Sequence, residues 1–316
     1  MAKSVLDAPH FHDEAAAFAY VEAHLWPNGP VCPHCAEDKR VGRLNGKTTR
    51  AGLHKCYACR KPFTVRMGTI FESTHLALHL WLQVIHLMCA SKKGISTRQV
   101  QRLLRCSMKT AWFLTHRIRE IMKPADGSKI GGEGAIVEAD ESFLTNSVKT
   151  RKPKDGSRSR NQKILSLVER GGQMRSMRID AAQMHIIKAA LRQHVDPRSF
   201  LHTDGAQMYK SVVPTYAAAH SSVDHAKGEY VRNDGNAKTH VNTLEGFFSV
   251  FKRGMIGTYQ HVSEAHLGRY LHEFDFRQNH REALGVNDVM RSERALSGAI
   301  GRRLTYQTTR LPAVPF

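Results

Sequence analysis

The chain has 316 residues, 41% of them hydrophobic and 24% charged, a composition that excludes a disordered chain and leaves room for two or three domains. Forty-seven Lys and Arg against 28 Asp and Glu give a formal net charge of +19, which points to a polyanionic partner, nucleic acid first. The longest run free of Lys, Arg, Asp and Glu, STHLALHLWLQVIHLMCAS, carries three His and a Gln and is too polar for a membrane span, so a cytoplasmic protein with no membrane partner is expected.

In chain order, the first predicted element is a short helix from Phe11 to Leu25, ended by WPNGP. The turn-rich, alternating segment from Val31 to Phe71 reads as small β-hairpins. Residues 75 to 123 switch to helical periodicity, and KPADGSKIGGEG then breaks it as the best linker. Beyond the linker, GAIVEADESFL, QKILSLVER and QMRSMRID read as strands, AAQMHIIKAALRQHV as a helix and SFLHTDG as a further strand. SVKTRKPKDGSRSRNQK, with seven basic residues and one Asp, is expected as a mobile loop between the first two strands. Two more helices are expected, one over residues 240–254 and one in SEAHLGRYLHEFDFRQNHRE. Strands and helices mixed in this way indicate one α/β domain.

Cys32 and Cys35 in CPHC, and Cys56 and Cys59 in CYAC, are two C-x-x-C knuckles. Two knuckles supply the four sulfurs of a tetrahedral zinc site, and with every position filled the site is structural. Cys89 and Cys106 lie in apolar helical segments and read as core residues.

ISTRQVQRLLRCSMKTAWFLTHRIREIM has Ser96 or Thr97 as a helix N-cap, a short break at RCS and a second helix from about Met108. Nine Lys or Arg and a single acidic residue fall between Ser91 and Lys123, so a helix-turn-helix that meets DNA is expected. Its DNA-binding residues would be Arg98, Arg102, Arg105, Lys109, Arg117 and Arg119, joined by Lys152 and Arg158 in the basic loop.

Asp140 ends the apolar strand AIVEAD and Asp204 ends FLHTD. Carboxylates at strand ends converge across neighbouring strands, where they hold hard divalent cations. In HVNTLEGFFSVFKRG, Leu244, Phe247, Phe248 and Phe251 fall on one helix face and Asn242, Glu245, Ser249 and Lys252 on another. Glu138 shares the face of Asp140 whereas Glu141 points away, and both are set aside. His202 and His240 flank these positions as hydrogen-bonding neighbours.

VEADESF, HTDGAQMY and THVNTLEGFFSVFKRG, preceded by CPHC, CYAC and a helical segment, resemble the DDE transposases of bacterial insertion sequences that carry an N-terminal zinc ribbon, the group related to the eukaryotic Merlin elements. The resemblance runs from about Phe11 to Glu282. It implies an RNase H-like catalytic domain, a mixed five-stranded sheet flanked by helices, that uses Mg²⁺ or Mn²⁺ to cut and join DNA at element ends. Carried over by position, Asp140, Asp204 and Glu245 match the three acids and Lys252 the basic residue that follows. Part of the family uses Asn at the third position, which makes Asn242 the alternative to Glu245. The expected organisation is a helix and zinc ribbon over residues 1–70, a helix-turn-helix-like domain over 71–124, a linker over 125–133, the catalytic domain over 134–290 and a tail over 291–316. The resemblance further implies terminal inverted repeats and target DNA as partners, and a homodimer or larger synaptic assembly. Competing readings are a nuclease of the same fold in recombination or repair, and a DNA-binding regulator that has lost the chemistry. Retention of all three acids weighs against the regulator.

Overall fold

A computed structural model describes residues 4–124, 127–144, 162–212, 217–234 and 237–304. The described residues fall into two compact units, one drawn from the spans Met1–Ala90, Thr97–Met122 and Asp288–Phe316, the other from Ser91–Ser96 and Lys123–Asn287.

The first unit opens with a 3₁₀ turn at Pro9–Phe11 and helix α1 (Glu14–Leu25). The helix starts three residues later than its apolar pattern suggests because the Asp13 side chain caps it, accepting from the Ala16 N–H at 2.7 Å. Strands β1 (Val41–Arg43), β2 (His54–Cys56) and β3 (Pro62–Phe63) form an antiparallel meander. Cys32, Cys56 and Phe63 bury themselves in a small core of their own. Helices α2 (Leu78–Ala90), α3 (Thr97–Leu104) and α4 (Met108–Ile121) follow. Between α3 and α4 the chain turns at Arg105, whose φ is +50°, and Ser107 caps α4 by accepting from the Thr110 N–H at 3.1 Å. The helix Asp288–Ser297 packs on α2, where Arg291 donates to the Cys89 carbonyl at 2.9 Å. Ribbon, helices and this C-terminal helix are therefore joined in one unit, where the sequence pattern suggests two domains and a tail.

The second unit is built on five strands: β4 (Ile136–Leu144), β5 (Gln162–Glu169), β6 (Met174–Ile179), β7 (Phe200–Asp204) and β8 (Ala219–Val223). Their order is β6-β5-β4-β7-β8, with β4, β5 and β6 antiparallel in succession and β4, β7 and β8 parallel. Helices α5 (Met184–His194) and α6 (Gln207–Val212) supply Ile187, Leu191 and Tyr209 to one face, against Val137, Ala139, Leu165, Leu167 and Leu201. A small hairpin, β9 (Arg232–Asp234) and β10 (Ala237–Thr239), leads into α7 (Asn242–Gly254), which is followed by α8 (Leu267–Asn279). On the other face Leu244, Phe247, Phe248 and Phe251 of α7 and Leu271 and Phe274 of α8 pack with Ile164, Val168 and Met174. Buried Asp275 of α8 accepts from the Ser176 N–H at 2.6 Å and its hydroxyl at 2.7 Å, fixing α8 to β6.

Within the expected linker, Ile130 is buried and pairs with Val195, so this stretch already belongs to the second unit. The expected loop over SVKTRKPKDGSRSRNQK lies almost wholly outside the described residues.

Phe251 is fully buried and meets Phe274 edge to face at 5.0 Å. Phe251→Ala should lower stability by about 3–5 kcal/mol, read as a fall in the urea midpoint, because the cavity adds to the lost transfer energy. Phe143→Ala, at a side chain 48% exposed on β4, should leave the midpoint almost unchanged.

Candidate active site

The parallel register of β4 and β7 sets Ile136 beside Phe200 and Ala139 beside Thr203, so Asp140 and Asp204 are the next neighbours along. Paired residues in such a ladder point to the same side, which places Glu138, Asp140, His202 and Asp204 together on the face that α7 covers. The Glu141 N–H donates to Asp140 Oδ1 at 2.7 Å, and the Ala206 N–H to Asp204 Oδ1 at 3.2 Å.

One carboxylate oxygen from each of Asp140, Glu141 and Asp204 lies within 4.8 Å of the others. Glu141 corrects the sequence reading. Alternation does turn it to the opposite face, where the Tyr209 hydroxyl donates to Oε1. But β7 ends at Asp204, so a side chain from either face of β4 reaches round the open strand edge into the cluster. Burial, reinforced by Asp204 and Glu141, pushes the Asp140 carboxyl up to about 7, and the charge of Glu245 adds to the push. Burial also raises Glu141 to about 7, against the lowering pull of the Tyr209 hydrogen bond. Three crowded, half-buried carboxylates are a ligand set for a hard divalent cation, whose charge would offset the repulsion that raises both groups.

Glu245 lies one turn into α7, partly exposed, with His225 Nδ1 3.6 Å from its Oε1. Asn242 is the first residue of the helix, exposed, its backbone N–H directed at His240 Nδ1 at 3.3 Å. Lys252 is partly buried two turns beyond Glu245.

In the ribbon, one sulfur from each of Cys32, Cys35, Cys56 and Cys59 lies within 4.8 Å of the others. The Cys32–Cys59 and Cys35–Cys56 sulfurs are 3.7 and 3.6 Å apart. Tetrahedral zinc with bonds of about 2.3 Å spaces its sulfurs by about 3.8 Å, so the four residues fit that ion.

Arg98, Arg102, Arg105 and Lys109 are exposed along α3, the turn and the start of α4. Arg117 and Arg119, expected beside them, are 3% and 0% exposed. Arg117 donates to the Ile70 and Glu72 carbonyls at 2.7 Å each. The buried face of α4 thus turns both arginines inward, off any DNA-facing surface. Lys152 and Arg158 lie outside the described residues. No helix among the described residues is long and apolar enough to cross a membrane.

Residues 130–279 match the ISXO2-like transposase domain, and residues 12–62 match the transposase zinc-ribbon domain. The chain is 27% identical over 267 residues to an uncharacterized protein in transposable element ISH50 of Halobacterium salinarum, covering 80% of this chain and 86% of that protein. A pre-cleavage Mos1 transpososome structure aligns over 64% of this chain and 70% of its own, at 11% identity and a TM-score of 0.24.

The raised carboxyls carry a pH signature. A group whose pKa is higher folded than unfolded binds more protons in the folded state, so stability falls as pH rises from about 4 to about 7. These two carboxyls therefore make metal-free protein less stable at pH 8 than at pH 5, while His86, His194, His202 and His220, lowered by burial, act in the opposite sense, so a substitution at Asp140 is needed to isolate the carboxyl contribution. Asp140→Asn should raise the melting temperature most at pH 8, less at pH 5 and hardly at all near pH 4, whereas a wild-type melting temperature insensitive to this substitution at pH 8 would mean the repulsion is already relieved.

Proposed function

The chain belongs to the DDE transposases of insertion sequences that carry an N-terminal zinc ribbon, and we propose that it binds the terminal inverted repeats of its element and catalyses divalent-metal-dependent cleavage and strand transfer. The observation that carries this reading is the carboxylate cluster of Asp140 and Glu141, midway along β4, and Asp204 at the end of β7, with Glu245 close enough to act on Asp140. Three antiparallel strands continued by two parallel ones support an RNase H-like domain around it.

Asp140 and Asp204 would hold Mg²⁺ or Mn²⁺, with Glu245 as the third acid and Glu141 as a further oxygen ligand. Bound there, the metal supplies Lewis-acid charge that activates the attacking oxygen and stabilises the leaving one. Asp140 and Glu141 must give up their protons for this, and their raised affinity for protons makes the site most competent above neutral pH. Lys252, on the stripe of α7 that carries Glu245, is suited to a DNA phosphate. Glu245 is favoured over Asn242 because it contributes negative charge that Asp140 feels, whereas an amide contributes none.

In the ribbon, four thiolates would fill zinc's coordination, leaving the metal a structural role. Arg98, Arg102, Arg105 and Lys109, all exposed, would form the DNA-facing set of the helix-turn-helix. Two element ends call for two copies of the chain in a synaptic assembly.

Labelled terminal-repeat DNA with Mn²⁺ should yield nicked and joined products. Asp140→Asn, Asp204→Asn and Glu245→Gln should each abolish both, and Asn242→Ala should retain joining. Binding without any nick would favour a regulator, and cutting without joining a nuclease. Strand transfer retained in Glu245→Gln and lost in Asn242→Ala would move the third position to Asn242. Prolonged chelation of zinc should unfold the ribbon, detected as reactive thiols at all four cysteines, and weaken end binding.

A further inference from the structure

Glu138 stands two residues before Asp140 on the same face of β4, and its side chain is fully buried. A buried carboxylate is costly without partners, and this one is densely supplied. Arg170 Nε donates to Oε1 at 2.8 Å and the Thr243 hydroxyl to the same atom at 3.0 Å. The Thr243 and Leu244 N–H groups donate to Oε2 at 3.1 and 3.4 Å.

Thr243 and Leu244 are the second and third residues of α7, whose own N-cap residue, Val241, makes no side-chain capping bond. The first N–H groups of any helix lack intrahelical partners, and here a strand carboxylate supplies them from outside the helix. Arg170 extends the clamp. It donates to the Lys238 carbonyl at 2.7 Å, to the His240 carbonyl at 2.9 Å and to His202 Nδ1 at 3.2 Å. The segment entering α7 is thereby fixed to the sheet at several backbone points, within one turn of Glu245.

We propose that Glu138 is a positioning residue: it caps α7 from β4 and so sets Glu245 against Asp140 and Asp204, without itself joining the acid cluster. The proposal rests on the transposase reading for its consequence in catalysis, but the capping it asserts is measurable without any reaction. Gln at this position keeps the length of the side chain and replaces one acceptor oxygen with a donor that would face N–H groups or the guanidinium.

The test is Glu138→Gln in the full chain, by hydrogen–deuterium exchange and by Mn²⁺ titration followed by electron paramagnetic resonance. Bonds to a carboxylate stabilise by more than neutral ones, so exchange in the peptide covering residues 242–248 should speed by about tenfold or more, while β5 and β6 stay protected. Mn²⁺ affinity should fall by about tenfold, as for other groups that orient metal ligands. Asp140→Asn should lose Mn²⁺ binding without speeding exchange in that peptide, which separates a ligand from a positioner. Strand transfer by Glu138→Gln should recover toward wild type at saturating Mn²⁺. Thr243→Val removes one bond of the same clamp with little risk to folding, and should shift exchange and affinity in the same direction by a smaller factor. Unchanged exchange over residues 242–248 in both variants would overturn the proposal, as would a loss of strand transfer in Glu138→Gln that no Mn²⁺ concentration restores. If wild-type protein never nicks DNA, the transposase reading fails, and the exchange result still decides whether Glu138 caps the helix.

Discussion

Crowding of like charge where β7 ends beside the middle of β4 is the constraint around which the second unit is organised. Two carboxylates whose oxygens lie within 4.8 Å of each other repel by at least about 3 kcal/mol at the effective dielectric of a protein surface. A structure tolerates this only where the backbone leaves the groups no room to separate. Asp140 sits on the central strand, paired to β5 through residue 144 and to β7 through Ala139. Asp204 is held by the parallel ladder to β8, whose register pairs it with Val223, and by its own bond from Ala206. Rigid strands on both sides would make the cluster a preorganised site for the cation proposed above, since the cost of bringing the ligands together is met when the chain folds.

The helix over this site depends on a different contact. Its aromatic face docks on β4 and β5 through Leu244, Phe247, Phe248 and Phe251, which fixes the axis of α7 and the direction in which its polar stripe looks. Packing of this kind is non-directional along the helix, and a sliding helix would carry Glu245 with it. The polar clamp at Glu138 and Arg170 provides the axial stop that an apolar face lacks.

Much of this was legible from residue order. The Phe face of α7, the strand-end Asp204 and the two cysteine knuckles are local patterns, set by a period of 3.6, a period of 2 and a fixed loop spacing, whereas Asp140, expected to end its strand, lies midway along β4. What was not legible depends on tertiary closure. β8 was missed because it is a polar strand of which only Val223 is buried, so it shows no alternation. Glu141 was set aside by a correct face assignment, since only the termination of β7 at Asp204 opens the edge round which its carboxylate reaches. Glu138 offered a fainter signal: a Glu inside the apolar run AIVEAD is an isolated buried charge unless some distant segment brings donors to it. Those donors, Arg170 and the first turn of α7, lie about 30 and 105 residues away.

Arg117 and Arg119 show why local charge density overstates a nucleic-acid surface. A guanidinium has five donors in a planar fork, and this chain repeatedly uses that fork to join segments remote in sequence. Arg117 joins α4 to the carbonyls of Ile70 and Glu72, Arg291 joins the C-terminal helix to Cys89, and Arg170, just past the end of β5, joins it to β10 and to the segment entering α7. Part of the net charge of +19 is therefore consumed in the interior, where it satisfies backbone oxygens that helix ends and strand ends leave unpaired. On α4 the division follows helix periodicity: Lys109 lies in the exposed first turn, whereas Arg117 and Arg119 fall in the run from Leu114 to Ile121 that is buried almost throughout. The exposed remainder, Arg98, Arg102, Arg105 and Lys109, is contiguous through the turn between the two helices. Contiguity and exposure, more than the count of basic residues, are what let a phosphate backbone displace solvent from such a surface.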